Sequence, residues 1–264
     1  MSSAEKSDPS ATASFGFTEV PENEKAGMVR GVFDSVAGRY DLMNDLMSGG
    51  THRLWKDHFV ARVAPKDGEA IIDLAGGTGD IAFRMSKAAP GARITVCDIN
   101  ENMIRTGRSR AIDRGILQGL DWTVGNAEQV PAPDRSFDAY TIAFGLRNVT
   151  HPERALADAY RVLKPGGRFF CLEFSHVQAP AMAAAYDLYS FRLLPKIGRY
   201  VARDEESYRY LAESIRMFPP QEKLADMMRE AGFEQVKYRN LLGGIVAIHS
   251  GWRGTVQNIA GETV

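Results

Sequence analysis

Residues 70–80 have the sequence AIIDLAGGTGD, and this stretch decides the predicted fold. Its first five residues, AIIDL, form a mostly apolar segment of strand length in which Asp73 is the one charged residue, and a glycine-rich turn then leads into a helix through residues 81–87. In a doubly wound sheet, ligands bind at the carboxyl ends of the strands, which is where this turn lies. Gly76, Gly77 and Gly79 allow the backbone of the turn to approach a ligand closely and to adopt positive φ.

The following residues alternate between short apolar runs and amphipathic helical patterns. Further strands are predicted at residues 93–98, 121–125, 137–143 and 168–173. Helices are predicted from residue 102 to about 114 and from 151 to about 163, and the stop signal of the second is Lys164-Pro165-Gly166-Gly167. This alternation predicts βαβ units and therefore a doubly wound α/β fold, with a parallel sheet covered on both faces.

The carboxyl-terminal part completes the predicted sheet. A helix over residues 220–231 ends at Gly232, and two strands, at residues 236–241 and 245–249, are joined by Gly243-Gly244 as a hairpin. With these two strands the sheet has seven strands and is mostly parallel.

One domain is expected over residues 15–264, after a Ser/Ala-rich segment, residues 1–14, that is predicted to be disordered. Two regions lie outside the strand–helix alternation. Residues 27–63 have a helical pattern and precede the first strand, and we interpret them as an N-terminal helical lid. Residues 179–218 form a long insertion rich in Tyr, Arg and Leu, which we interpret as a helical cap.

Composition narrows the class of protein. The 264 residues include 32 basic and 33 acidic side chains, a net charge of −1, which argues against nucleic acid as the main partner. Cys97 and Cys171 lie in apolar runs, and without a CxxC or paired-histidine spacing we expect neither a disulfide framework nor a metal site. No run of 18 apolar residues and no secretory signal pattern occurs, so the expected location is cytoplasmic.

The glycine turn and Asp98 together predict a nucleoside cofactor. Asp98 ends the second strand, about twenty residues after the turn, where a carboxylate accepts hydrogen bonds from both hydroxyls of a ribose. Residues 77–82 also match the dinucleotide pattern GxGxxG/A, which leaves hydride transfer as an alternative. Asp73 and Asp80 favour S-adenosyl-L-methionine, because carboxylates repel a pyrophosphate but suit a sulfonium and an amino group.

The segment Gly125-Asn126-Ala127-Glu128 follows the third strand and adds to the same interpretation. Asn126 and Ala127 are placed to bracket an adenine ring at the ligand-binding edge of the sheet. The favoured cofactor is therefore S-adenosyl-L-methionine.

Three stretches resemble the UbiE/COQ5 methyltransferases. They are YDLMNDLMSGGTHRLW at residues 40–55, FGLRNVT at 144–150, and RVLKPGG at 161–167 continuing to LEFS at 172–175. The resemblance runs from about Phe15 to Trp252. It implies a class I S-adenosylmethionine-dependent, Rossmann-like fold and C-methylation of a polyprenylated quinol ring. The acceptor would be a 2-polyprenyl-6-methoxy-1,4-benzoquinol in ubiquinone biosynthesis or a demethylmenaquinol in menaquinone biosynthesis, and the sequence leaves both open.

The resemblance also implies individual cofactor-binding residues. It carries the family's cofactor positions over to Thr78, Asp98, Asn126 and Ala127, beside Asp73, Gly77 and Gly79 from the turn. Tyr40 is expected against the methionine end of the cofactor. Ala143 is a further expected cofactor-binding position, and it stands where the family often has a serine, so one hydroxyl contact is missing there.

The implied acceptor needs help to react at neutral pH. A ring carbon of a quinol becomes a good nucleophile when a ring hydroxyl loses its proton, and a phenolic pKa is about 10. Arg147 and Asn148 follow the fourth strand, and we expect Arg147 to stabilise the phenolate and orient a water while Asn148 positions a ring oxygen. The alternative for Arg147 is a salt bridge or a helix cap. His52 and His176 are further candidate bases.

The insertion has a second, lipid-related interpretation. Its apolar side chains could pack on the sheet or form a passage for the polyprenyl tail, with basic residues facing anionic lipid at the inner face of the membrane. These basic residues are Arg192, Lys196, Arg199 and Arg203. A homodimer or a complex of quinone-biosynthesis enzymes is compatible with the sequence.

Two other functions stay open. One is methylation of another apolar acceptor, such as a sterol or a fatty acyl chain. The other is a catalytically silent partner in a biosynthetic complex, against which the intact Asp73, Gly77, Gly79 and Asp98 argue.

Overall fold

The computed structural model describes residues 11–36, 45, 48, 50–178, 186 and 205–255. Its centre is a seven-stranded sheet with the spatial order β5-β4-β3-β6-β7-β9-β8. The strands of this sheet are β3 (Ala70–Leu74), β4 (Arg93–Asp98), β5 (Leu120–Val124), β6 (Phe137–Ala143), β7 (Leu163–Phe174), β8 (Phe233–Leu241) and β9 (Val246–Arg253). The first five run parallel to their neighbours, and β9 pairs antiparallel with both β7 and β8. This is the doubly wound, mostly parallel sheet that the sequence predicts.

Helices cover both faces of the sheet. In the part of the chain described, they are α1 (Glu22–Val36), α2 (His52–Val63), α3 (Asp80–Ala88), α4 (Glu101–Asp113), α5 (Pro152–Val162), α6 (Glu205–Met217) and α7 (Gln221–Glu230). Neighbouring residues of β3 point to opposite faces: Ile71 packs in one apolar cluster with α2, α3 and α6, and Ile72 packs in the other with α5 and α7. Burial on both faces explains why four of the five residues of this strand are apolar. Cys97 and Cys171 are buried in strands as free thiols.

The strand order reverses between β3 and β6. The chain leaves β3 toward β4 and β5 on one side, and it returns to β6 and β7 on the other. The connections after β3 and β6 therefore diverge at the carboxyl ends of these two neighbouring strands, and diverging connections open a crevice. The glycine turn follows β3, and residues 144–150 follow β6, so the sheet topology brings these two motifs together.

The amino-terminal region corrects one sequence prediction. Residues 12–14, expected to be disordered, belong to β1 (Thr12–Phe15), which forms a hairpin with β2 (Thr18–Pro21). Contacts remote in sequence stabilise this hairpin, since Phe15 stacks on Tyr210 with ring centroids 4.2 Å apart and the backbone N–H of Phe17 donates to Glu213. Contacts between residues so distant in the sequence leave no local sequence pattern from which they could be predicted.

The predicted helical regions are also refined. The helix predicted from residue 27 begins earlier, at Glu22, directly after β2. The rest of the predicted lid contains α2, and residues 37–44, 46–47 and 49 lie outside the described residues. Within the predicted cap, α6 is helical, whereas residues 179–185 and 187–204 lie outside the described part.

The segment Lys164-Pro165-Gly166-Gly167 ends α5 as predicted but does more than separate a helix from a strand. Leu163 already pairs with Phe137, and the next pair joins Arg168 to Ala139, so four residues bulge out within β7. Gly166 has φ +76°, which a glycine adopts without steric cost.

Candidate active site

A cleft opens at the switch point between β3 and β6. It contains about 850 Å³ of space that protein atoms do not fill, part of it open to solvent. Its walls come from α1, from the ends of β3, β4 and β5, and from the segment after β6: Ala26, Val29, Arg30, Phe33, Leu74, Ala75, Gly77, Asp98, Ile99, Asn100, Met103, Gly125, Asn126, Ala127, Glu128, Phe144, Gly145, Asn148, Val149 and Thr150.

The glycine turn forms the floor between β3 and α3. Gly77 and Gly79 have φ +55° and +84°, and Ala75 is a non-glycine residue at φ +48°. A Cβ atom on Gly76 would lie 2.6 Å from Cγ1 of Val96 and 2.9 Å from the carbonyl oxygen of Asp73. Glycine is therefore required at Gly76 for close backbone packing and at Gly77 and Gly79 for backbone conformation.

Asp98 is held rigidly at the end of β4. Its Oδ2 accepts the backbone N–H of Gly77 at 2.8 Å, and its Oδ1 accepts the backbone N–H of Asn100 at 2.8 Å. Burial raises the pKa of this carboxyl, and the two backbone hydrogen bonds oppose that shift. Each oxygen keeps lone-pair capacity toward the cleft, as a pair of ribose hydroxyls requires.

Asn126 and Ala127 lie in the cleft wall beyond β5. The Oδ1 atom of Asn126 accepts the backbone N–H of Glu128 at 3.0 Å, which fixes the turn that carries both residues. Ala127 is nearly buried and belongs to an apolar cluster. The wall therefore offers the apolar side chain of Ala127 beside the amide of Asn126, which fits the predicted adenine site.

A smaller cavity adjoins the cleft and shares Ala75, Gly77 and Phe144 with it. Asp73 lies in its wall and is fully buried, and its Oδ1 accepts the hydroxyl of Thr141 at 2.7 Å. Its Oδ2 has no hydrogen-bond partner among the residues that the structure describes. Burial raises the pKa of Asp73 to about 7.

The model of the ubiE/COQ5 methyltransferase family matches residues 17–253. The chain belongs to this family. Its curated relatives named ubiquinone/menaquinone biosynthesis C-methyltransferase UbiE include those of Cereibacter sphaeroides, 58% identical over 93% of this chain and 98% of the relative, and Acidiphilium cryptum, 59% identical over 92% and 98%. The chain is thus an S-adenosylmethionine-dependent C-methyltransferase, and the predicted cofactor and reaction class are confirmed.

Solved structures support the fold. An S-adenosylmethionine-dependent methyltransferase from Thermotoga maritima aligns with a TM-score of 0.60 at 22% identity, covering 84% of this chain and 98% of that one. Phosphoethanolamine N-methyltransferase 2 of Haemonchus contortus, solved with S-adenosyl-L-methionine, aligns with a TM-score of 0.56 at 13% identity, covering 76% and 52%. The predicted class I methyltransferase fold is confirmed.

The cofactor-binding residues predicted for this UbiE/COQ5 chain fall into two groups. Gly77, Asp98, Asn126 and Ala127 line the cleft, and Asp73, Thr78 and Ala143 line the smaller cavity together with Gly77. The Asp98 carboxylate fits the ribose of S-adenosyl-L-methionine, and the glycine turn allows the cofactor to approach the backbone closely. The unpartnered oxygen of Asp73 fits the ammonium of the cofactor. Tyr40 lies outside the described residues.

Two further predicted residues have contacts that the sequence does not reveal. The hydroxyl of Thr78 accepts a hydrogen bond from Nη1 of Arg110 at 3.0 Å, which ties the turn to α4. Gly79 packs against the ring of Trp122, where a Cβ atom would lie 2.6 Å from the indole. Gly79 is outside the cavity walls described above, so its contribution is to the shape of the turn.

Arg147 and Asn148 differ in their surroundings. Asn148 lines the cleft, and its Oδ1 accepts the hydroxyl of Tyr210 at 3.1 Å. Arg147 has the salt bridge that was the alternative interpretation, because its Nη1 lies 2.7 Å from Oε1 of Glu173 and 2.6 Å from the carbonyl oxygen of Phe144. Its Nε is buried and has no hydrogen-bond partner in the described residues.

The candidate histidine bases lie in structural contacts. His52 is buried and bonds Asp45 through Nε2 at 2.9 Å, and burial lowers its pKa. His176 bonds the carbonyl oxygen of Phe218 through Nε2 at 2.9 Å. These contacts are typical of histidines that hold the fold together.

Helix α1 crosses the cleft and contacts both sides of it. Near its start, the buried Lys25 donates to the carbonyl oxygen of Val149 at 3.1 Å. Near its end, Asp34 accepts from the side-chain amides of Asn100 and Asn102, at 2.9 and 3.2 Å. The helix therefore closes one side of the cleft.

Sequence reasoning missed three groups at the site: Lys56, Glu173 and Tyr210. Each lies far along the chain from the residue that it contacts, namely Asp80, Arg147 and Asn148 respectively. Tyr210 carries no separate signal, whereas Glu173 lies in the third family motif as the one charged residue of the apolar run 169–174, which could have marked it. Lys56 directly follows the first family motif, and a lysine within a mostly apolar helix face is a signal that could have been used.

Proposed function

We propose that this protein methylates a ring carbon of a polyprenylated quinol in ubiquinone and menaquinone biosynthesis. Its curated relatives carry that pathway in their names at 56–59% identity. S-adenosyl-L-methionine supplies the electrophilic methyl group when it is bound. The acceptor is a 2-polyprenyl-6-methoxy-1,4-benzoquinol, a demethylmenaquinol, or each in turn.

The position of Asn148 is the observation that carries the acceptor role of this site. It lies in the same cleft as Asp98, in the segment that follows β6, whereas Asp98 ends β4 on the other side of the switch point. Because burial raises the pKa of Tyr210 to about 12, the tyrosine stays protonated and donates to Oδ1 of Asn148. Nδ2 of Asn148 is then the end of the amide that donates to a ring oxygen of the quinol.

Arg147 precedes Asn148 and is not among the residues that line the cleft, so its effect on the ring hydroxyl is indirect. Its pairing with Glu173 neutralises most of its charge, so the phenolate is stabilised mainly by the directed hydrogen bond from Nδ2 of Asn148, while Arg147 orients a water near the ring oxygen. Glu173 holds the guanidinium in place, since both side chains are almost fully buried.

Helix α1 acts as a lid that excludes water from the reacting carbon. The ties of Lys25 and Asp34 to opposite sides of the cleft support this assignment. Tyr40 lies outside the described residues, and we expect it to contact the methionine end of the cofactor.

The activity is tested with methyl-labelled S-adenosyl-L-methionine and short-chain forms of the two quinols. We expect transfer of label to ring carbon, and a fall in kcat of about 10- to 100-fold in Asn148→Ala, the effect of losing one hydrogen bond to a charged oxygen. Label on neither quinol, with intact cofactor binding, would favour another apolar acceptor or a silent partner. Near-normal turnover of Arg147→Ala at saturating quinol would contradict the role of Arg147.

Contact with the membrane surface is part of the same proposal, because a polyprenyl tail is confined to lipid. No helix among the described residues is long and apolar enough to cross a bilayer. Neutralising Arg192, Lys196, Arg199 and Arg203, which lie outside the described residues, is expected to weaken binding to anionic vesicles. Unchanged vesicle binding would contradict this part, and light scattering of the purified chain tests for a homodimer.

A further inference from the structure

The smaller cavity contains a buried ammonium group that the cofactor-binding residues described so far do not include. Lys56, on α2, is 5% exposed and lines this cavity opposite the glycine turn. Lysine side chains are almost never buried to this extent unless they are paired. The nitrogen of Lys56 lies 2.8 Å from Oδ2 of Asp80, the first residue of α3.

Asp80 is shared between two cations. Its other oxygen, Oδ1, lies 3.5 Å from Nε of Arg84, which also pairs with Asp57 on α2 at 2.9 Å. Asp80 therefore already pairs with two cations of the protein, contacts that the sequence alone does not reveal. An ammonium has three donors, and among the described residues Asp80 is the acceptor that the structure assigns to Lys56.

Asp73, which lines the same cavity as Lys56, has an unused acceptor. Oδ2 of Asp73 is buried without a hydrogen-bond partner in the described part of the chain. The cavity thus presents a carboxylate oxygen and an ammonium with spare donors, in a place walled by Thr78, Ala143 and Phe144. This pair of groups is complementary to the zwitterionic end of an α-amino acid, which has one ammonium and one carboxylate.

We propose that Lys56 binds the α-carboxylate of the methionyl end of S-adenosyl-L-methionine. The ammonium of the same end faces Asp73, and Asp80 is a positioning residue that holds the Lys56 nitrogen toward the cavity. The cavity shares three wall residues with the cleft, so the nucleoside lies at Asp98 and Asn126 while the amino-acid end reaches past Gly77. The proposal rests on the cofactor and not on the quinol acceptor.

A purely structural role is the competing explanation for Lys56. The Lys56–Asp80 pair joins α2 to α3, and the Arg84–Asp57 pair joins the same two helices. A structural role predicts that loss of Lys56 weakens binding of every ligand of the site to the same extent. A carboxylate-binding role predicts a loss confined to ligands that carry the carboxylate.

Calorimetric titration of the full chain without quinol separates the two roles. The ligands are S-adenosyl-L-methionine, its decarboxylated analogue and 5′-methylthioadenosine, of which the last two lack the carboxylate. In Lys56→Met we expect the affinity for S-adenosyl-L-methionine to fall about 10- to 100-fold, and that for the other two to change less than about 3-fold. Lys56→Arg keeps the charge and should therefore lose less affinity for S-adenosyl-L-methionine than Lys56→Met.

Asp57→Asn is the matched control, because it removes the other tie between α2 and α3, the pair with Arg84, and leaves the Lys56–Asp80 pair in place. Its ratio of affinities for S-adenosyl-L-methionine and methylthioadenosine should equal that of the unaltered protein. Equal losses for all three ligands in Lys56→Met, or no loss for any, would overturn the proposal. Circular dichroism of each variant confirms that it is folded, and a double variant Lys56→Met, Asp80→Asn replaces Lys56→Met if the unpaired Asp80 prevents folding.

Discussion

Arg147 and Glu173 form a buried ion pair, with Nη1 of the arginine 2.7 Å from Oε1 of the glutamate and side-chain exposures of 4% and 1%. The two residues are brought together by parallel pairing of β6 with β7, which aligns Ala143 with Leu172. The guanidinium also donates to the carbonyl oxygen of Phe144, and the backbone N–H of Phe174 donates to the same Oε1. The pair therefore connects the base of the cleft to the sheet.

Loss of one partner of this pair is expected to destabilise the fold. Arg147→Met leaves Glu173 buried without its cation, which costs about 3–5 kcal/mol of unfolding free energy. The double variant Arg147→Met, Glu173→Gln removes the buried charge and should regain much of this stability. We expect turnover to remain low in the double variant, because the Arg147 donors are absent. Urea unfolding and quinol methylation measured side by side check both parts, and full recovery of turnover would show that Arg147 is only structural.

Asp73 is expected to make stability fall as pH rises. Its pKa is about 7 in the folded protein, against about 3.9 in an unfolded chain, so the folded state holds the proton more tightly. Its contribution to stability is fully present below about pH 4 and is lost as pH rises to 7. The total corresponds to about 4 kcal/mol, from about 1.4 kcal/mol for each unit of pKa difference.

The isosteric variant Asp73→Asn tests this dependence, since it keeps the acceptor for Thr141. In urea unfolding of the cofactor-free protein, the variant should be more stable than the unaltered chain at pH 8, and the two should converge near pH 4.5. Parallel pH profiles of the two proteins would contradict the burial of a titrating carboxyl at this position.

Binding of S-adenosyl-L-methionine should also depend on pH through Asp73. The cofactor's ammonium favours the Asp73 carboxylate, so protons compete with the ligand below pH 7. Affinity is expected to fall up to about 10-fold per pH unit below that value. The pKa of Asp73 also responds to Asp80, Asp98 and Lys56. The control is therefore Asp73→Asn, in which we expect weaker binding of the cofactor and an affinity that does not change with pH. Calorimetry from pH 5.5 to 8 measures the affinity for S-adenosyl-L-methionine. A constant affinity of the unaltered protein over this range would refute the contact between the cofactor's ammonium and Asp73.

Gly79→Ala should destabilise the turn by two separable effects. A φ of +84° costs a residue other than glycine about 1–2 kcal/mol of unfolding free energy. The new Cβ would also overlap the ring of Trp122, which costs about 1–3 kcal/mol more. Gly115→Ala is the control, since Gly115 has φ +70° and a Cβ added there would meet no atom within 4 Å. Chemical unfolding followed by tryptophan fluorescence gives both values, and equal losses in the two variants would show that Trp122 moves aside freely.

Tyr210→Phe should lower kcat without changing cofactor affinity. The variant keeps the ring that stacks on Phe15 and removes the hydroxyl that orients Asn148. We expect a fall of about 10-fold, in keeping with one lost hydrogen bond. Phe15→Leu, which removes the stacking partner and keeps the hydroxyl, should lower the melting temperature more than it lowers kcat. The reverse pattern would make Tyr210 a purely structural residue.

The order of strands and helices over residues 70–249 was predictable because its signals are local. Apolar runs such as residues 70–74 and capping signals such as Gly232 are properties of neighbouring residues, and the observed elements agree with them within a few residues. The amino-terminal hairpin was not predictable in this way. Its strands are four residues long, and the contacts that hold them, to Tyr210 and Glu213, are nearly 200 positions away.

The sequence by itself therefore determined the doubly wound fold, the cofactor class and the family. Periodicity, glycines at positive φ, a carboxylate at the end of a strand and three family motifs are all written in contiguous residues. Only the tertiary structure decided the charge state and the partners of the groups in the site. Arg147 meets Glu173, Lys56 meets Asp80, and Asp73 keeps one oxygen unpaired among the described residues, because strand register and helix packing set those contacts and the accompanying burial.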